Sequence, residues 1–288
     1  MTASTAELRA IDHSGPLRGL GGLTLAETRR WLPARAIGLT IAGLAVMVAF
    51  YGFFRLIVAQ EPAEAGLGIF LYPFMAFWAI VLTLTVAATA QGAVAGEIDD
   101  GTAAWLVGMP VSRSAFVVSK VLAAIPGLAV AVAGTGLVGF ALIQQAASIQ
   151  ATEFPLEKLF DATRVAVGQS VFLSPPDFGE YLGLLLRLVW FELFLVAVLA
   201  LIGTFFRSRS AVLGLGLVVA IAMLVLGLLG SQDVFGVTLD FVPAGLLAGA
   251  FDVLVDEPAA LLVPLVATTG WIVALTAAAS MRFARKEL

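Results

Sequence analysis

The sequence predicts an all-α membrane protein with six transmembrane helices and both termini in the cytoplasm. Three observations carry that prediction. First, the residues AVILMFWYC make up 60% of the 288 positions and charged residues only 12%, against ~45–50% and about a quarter in an average soluble domain. A globule of 30.0 kDa and mean hydropathy +1.02 could not cover its surface with so few polar groups. Second, the apolar residues fall into six stretches of membrane-crossing length. Third, the basic residues concentrate in every other connection. The same composition excludes a disordered chain, a nucleic-acid-binding domain and a secreted disulfide scaffold.

Residues 1–35 read as a cytoplasmic tail. They carry Arg9, Arg18, Arg29, Arg30 and Arg35 and no apolar run. A cleaved signal peptide is therefore not expected, and the first span serves as an uncleaved anchor. Residues 36–288 form the transmembrane domain. Its spans are read at 36–54, 69–95, 117–143, 182–206, 211–229 and 259–281, each long enough for a ~30 Å core at ~1.5 Å per residue. Pro73 lies early in the second span. Pro126 lies within the third, where a kink is expected. A cytoplasmic segment, 96–116, joins these two spans. Two outer connections, 144–181 and 231–258, are long. In the first, Leu156, Leu159, Phe160, Thr163 and Val167 follow Pro155 at helical spacing, which predicts an amphipathic helix on the outer surface. Ser174-Pro175-Pro176-Asp177 then makes a stiff turn. In the second, 241–255 is apolar but too short to span, so a re-entrant or interfacial helix is expected.

Charge sets the orientation. The tail, Arg113 with Lys120, Arg207 with Arg209, and Arg282, Arg285 and Lys286 place twelve of the 16 basic residues on one side. The other side holds Arg55, Lys158 and Arg164. The positive-inside rule makes the richer side cytoplasmic. With seven acids there, that side has net charge +5, whereas three cations and twelve acids give the outer side −9. The acidic exterior is read first as a solubilising surface and second as a cation-attracting vestibule.

Several chemistries are excluded. There is no Cys, hence no thiolate metal site or Cys nucleophile. The one His, His13, lies in the tail, so a Ser–His hydrolase is excluded and no metal or cofactor is expected. No Asn offers a glycosylation sequon. Gly134-Thr135-Gly136-Leu137-Val138-Gly139 matches GxGxxG, but it sits inside an apolar span with no strand before it, so it is not a nucleotide fingerprint. Packing explains it better. Gly127, Ala131, Thr135 and Gly139 recur every four residues as a small face for close helix approach, and Gly270, Ala274 and Ala278 repeat the pattern in the last span. None of Lys120, Lys158 and Lys286 is followed by Ser or Thr, so the chain has no P-loop and hydrolyses no ATP by that route.

Glu192 is the deepest ionisable residue, near the middle of the fourth span. An intramembrane carboxylate is a functional candidate by default. Arg187, five residues earlier, lies about 140° around the helix. The two are poor intrahelical partners, so Glu192 is expected to pair with another helix or stay protonated, and Arg187 to snorkel outward.

The most specific stretch is Gly96-Glu97-Ile98-Asp99-Asp100-Gly101-Thr102-Ala103-Ala104-Trp105-Leu106-Val107-Gly108-Met109-Pro110-Val111-Ser112-Arg113, followed by Lys120. Gly101 can make a turn, Thr102 can cap a short helix through Trp105 and Leu106, Pro110 ends it, and Ser112 can cap the next. The bland reading is a connecting loop. The sharper one is a docking element that a cytoplasmic partner can push.

This stretch resembles the ABC-2 type permeases, the transmembrane subunits of ATP-binding-cassette exporters. Glu97, Gly101, Thr102, Leu106, Pro110, Val111, Ser112, Arg113 and Lys120 match the family pattern, while Asp99-Asp100 stands where many relatives carry a basic residue. Residues 23–32 resemble the amphipathic elbow helix that precedes the family's first span. The resemblance implies two permease chains, identical or related, enclosing a pathway in the cell membrane. It also implies a separate ATP-binding subunit docked on residues 103–109, with Trp105 and Leu106 receiving the push. The alternative is an ion- or proton-coupled secondary transporter using Glu192, and a third reading is a non-transporting membrane scaffold.

Overall fold

The computed structural model describes residues 15, 17–60, 67–101, 111–153, 175–230, 239–254 and 261–285. Among them are nine α-helices, one π-helical turn and no strand. Helix α1 is Leu20–Arg30, and a π turn at Trp31–Ala36 leads into α2, Ile37–Gln60. Pro33, which has no N–H to give to the ladder, lies within this wider turn. Then come α3 (Leu67–Ala90), α4 (Ala95–Asp99), α5 (Arg113–Glu153), α6 (Phe178–Phe205), α7 (Arg209–Gly230), α8 (Ala244–Leu254) and α9 (Leu262–Ala284). Six of these, α2, α3, α5, α6, α7 and α9, are long and apolar enough to cross a membrane.

Burial identifies the centre. About seven-tenths of the apolar windows of α5 (67%) and α6 (72%) are covered by protein, against 22–28% for α2, α7 and α9. Helix α6 packs against α3, α5, α7, α8 and α9. In lipid, apolar burial alone does not hold helices together, so close approach at small residues matters more. Gly127, Ala131, Thr135 and Gly139 are all buried, as their spacing predicts. A Cβ on Gly127 would stand 3.0 Å from the Trp31 ring, and one on Gly139 2.7 Å from the Tyr181 hydroxyl and 2.9 Å from Met47 Cε.

The structure corrects four sequence expectations. The second span, which runs to Asp99, is not one continuous helix: α3 stops at Ala90, residues 91–94 turn, and α4 restarts the helix. Gln91-Gly92 makes this break. Helix α5 does not end near 143 but continues to Glu153. Its 41 residues extend ~60 Å at ~1.5 Å each. Gln144, Gln145 and Ser148 end the hydropathy without breaking the helix, so the helix runs ten residues further than polarity suggests. In the last span Gly270 and Ala274 are exposed. Within this chain α9 packs instead through Pro264, Thr268, Ile272, Ala279, Ser280 and Phe283. The fourth correction concerns Arg187, described below.

The short apolar 241–255 region contains α8, whose 11 residues cover ~16 Å and cannot span. Its residues 244–250 are buried against α6 and α7. The amphipathic helix expected around 155–167 lies outside the described residues.

Candidate functional site

Segment 96–116 is described at its two edges. On the near edge α4 carries Glu97, and Gly101 follows with φ 71°, the left-handed turn expected of it. On the far edge the Ser112 hydroxyl accepts the Ala115 N–H at 3.0 Å, capping α5 as expected. Thr102, Trp105, Leu106 and Pro110 lie outside the described residues.

Lys120 stands two turns into α5 with a side chain only 2% exposed. Such a burial requires partners. Its Nζ donates to Glu27 Oε1 on α1 and to Glu97 Oε1 on α4, both at 2.7 Å. Arg30 Nη1 donates to the same Glu97 oxygen at 2.9 Å. Three helices are thus joined by one buried ammonium. The Phe116 ring lies 4.8 Å from Nζ, within cation–π range.

Other contacts extend this end of the bundle. Arg209, at the start of α7, donates through Nη2 to Asp100 Oδ2 at 2.6 Å. Its guanidinium lies against Gly96, where a Cβ would meet Nε at 3.0 Å. Arg113 Nη1 donates to the Ala284 carbonyl at 3.1 Å, a cation on the negative end of α9. Phe116 stacks on Phe283 at 5.2 Å. The Ser112 N–H donates to the Arg18 carbonyl at 3.0 Å, and Val111 packs over Gly19, whose φ is 79°. Arg35 caps the group from the π turn, its guanidinium carbon 5.0 Å from the centre of the Trp31 ring. Burial pulls its pKa below the ordinary arginine value, with Glu27 opposing.

The fold therefore brings Glu97, Gly101, Ser112, Arg113 and Lys120 to one end of the bundle. The sequence pattern did not identify Glu27, Arg30 or Arg209 as members of this site. For the first two a signal was present: Glu27 and Arg30 sit one turn apart on a predicted helix.

The intramembrane pair behaves differently. Glu192 is fully buried, and Thr83 Oγ1 on α3 donates to its Oε1 at 2.8 Å. It pairs with another helix, one of the two outcomes expected. Its Oε2 is buried without a hydrogen-bond partner among the described residues. Arg187 does not snorkel out of the bundle: it is 2% exposed. Its side chain runs back over Gly183, where a Cβ would meet Nη1 at 3.4 Å. The bundle encloses it because α6 is the central helix.

No protein-family model matches this chain, and no curated protein matches it.

Proposed function

We propose that this chain is a permease subunit of an ABC-2 type exporter. It would lie in the cell membrane with its N- and C-termini in the cytoplasm, and α1 would be the elbow helix along the inner face. It would work with a second permease chain and a separate ATP-binding subunit. One observation supports the reading above the others. Glu97 and Lys120, which flank residues 102–110, meet in a single ion cluster that also takes in α1. A push on the connecting segment would be felt by α4, α5 and α1 together. Helix α5, which stays helical through Pro126, then runs from that cluster to the other end of the bundle.

Affinity purification in mild detergent tests the proposal. A cytoplasmic ATPase should co-purify, and failure to recover one counts heavily against it. Trp105→Asp and Leu106→Asp should leave membrane insertion intact and uncouple ATP hydrolysis from transport. Wild-type transport by both variants would remove the docking role.

The unpartnered Oε2 of Glu192 favours a second reading, proton-coupled transport. Uptake into vesicles that lack any ATPase, driven by a pH gradient and abolished by Glu192→Gln, would select it.

A further inference from the structure

At the end that holds Lys120, the π turn, the 91–94 turn and the start of α7 enclose a cleft of about 220 Å³. It is smaller than the ~300–1,000 Å³ of drug-sized sites and suits a small polar group. Arg30, Arg35, Lys120 and Arg209 line it, with Glu97 and Asp100. Adding Glu27, which also bonds Lys120, leaves four cations against three carboxylates. The three acids are engaged by Lys120, Arg30 and Arg209. Arg35 makes no salt bridge among the described residues; its guanidinium lies over the Trp31 ring, with Glu27 and Glu97 acting on it only at longer range. The surplus positive charge is thus placed on a half-buried guanidinium, a planar donor fork that matches phosphate oxygens.

The cleft also lies at the edge of the apolar surface. Ile37, two residues beyond Arg35, is exposed, and so is Leu84, one turn before the lining residue Ala88. A headgroup in the cleft would leave acyl chains beside the faces of α2 and α3. Basic clefts between spans at the membrane surface attract anionic headgroups in this way.

We infer that this cleft binds a phosphate group through Arg35, with Arg209 and Arg30 at its rim. The group would come from an anionic phospholipid or from free phosphate.

The test uses the full chain in mild detergent. Phosphatidylglycerol, phosphatidylcholine with the same acyl chains, and inorganic phosphate are titrated separately, with bound species read by native mass spectrometry. Phosphatidylglycerol should be retained and phosphatidylcholine lost. Arg35→Gln should weaken retention roughly tenfold, the loss of one charge-assisted contact. Asp100→Asn, which releases Arg209, should strengthen it several-fold. Inorganic phosphate binding that depends on Arg35, without phosphatidylglycerol binding, would assign the free anion as the source. If Arg35→Gln fails to fold, Arg209→Gln and Asp100→Asn should still shift retention in opposite directions. Equal retention of both lipids, with no Arg35-dependent phosphate binding, would overturn the inference. So would phosphate and phosphatidylglycerol binding that none of these variants alters.

Discussion

Replacing Lys120 by Met removes the buried ammonium that joins α1, α4 and α5 and leaves the apolar stem in place. Glu27 and Glu97, 13% and 20% exposed, then face one another. Each loses its 2.7 Å partner, while the exposed Arg30 stays beside both. Breaking a buried ion pair by removing one partner costs about 3–5 kcal/mol. Arg30 and the partial exposure of both acids put this case at the lower end, about 3 kcal/mol, or roughly 150-fold in the unfolding equilibrium. Denaturant titration in mixed micelles would measure it. The triple variant Lys120→Met, Glu27→Gln, Glu97→Gln removes the repulsion as well and should return to within about 1 kcal/mol of wild type, because an intact buried cluster is worth little over neutral replacements. A Lys120→Met protein as stable as wild type would refute the clamp, as would a triple variant less stable than the single one.

The buried Glu192–Thr83 contact gives a second expectation. Thr83→Val should cost about 1–3 kcal/mol by stranding a buried acceptor, while Glu192→Gln keeps an oxygen for Thr83 and should be no less stable than wild type in the same titration. Gly139→Ala should destabilise by about 1–3 kcal/mol through overpacking against Tyr181 and Met47. Gly270→Ala, where nothing lies within 4 Å of the new methyl, should be neutral or slightly stabilising. Equal effects at the two glycines would remove the close-packing account of α5.

What the sequence made legible follows from which signals are local. Six spans are readable because lipid demands long apolar helices, and each apolar stretch lies within a few residues of its expected place, although the α5 helix itself runs on to Glu153. Ser112 and Gly101 are readable because caps and left-handed turns depend on neighbours two or three residues away. Asp177 and Glu180 form a full capping box at the start of α6, a local D-x-x-E signal of the same kind. Helix ends are harder where polarity and helicity separate, as at Gln144 on α5. Arg187 shows the limit of depth arguments, since its enclosure depends on which helix is central. The same holds for Glu27 and Arg209, which reach the site through contacts 93 and 109 residues apart in sequence. On α9 the spacing of Gly270 and Ala274 gives a face without saying what it meets.

The absence of cysteine makes the central claim directly measurable. A single cysteine at Trp105, in membranes with the full complement of cytoplasmic proteins, can carry a short crosslinker. The account predicts protection from impermeant thiol reagents applied outside, and a crosslink to an ATP-binding subunit. Labelling from the outside, or crosslinks at Trp105 and Leu106 that recover no ATP-binding protein, would contradict it.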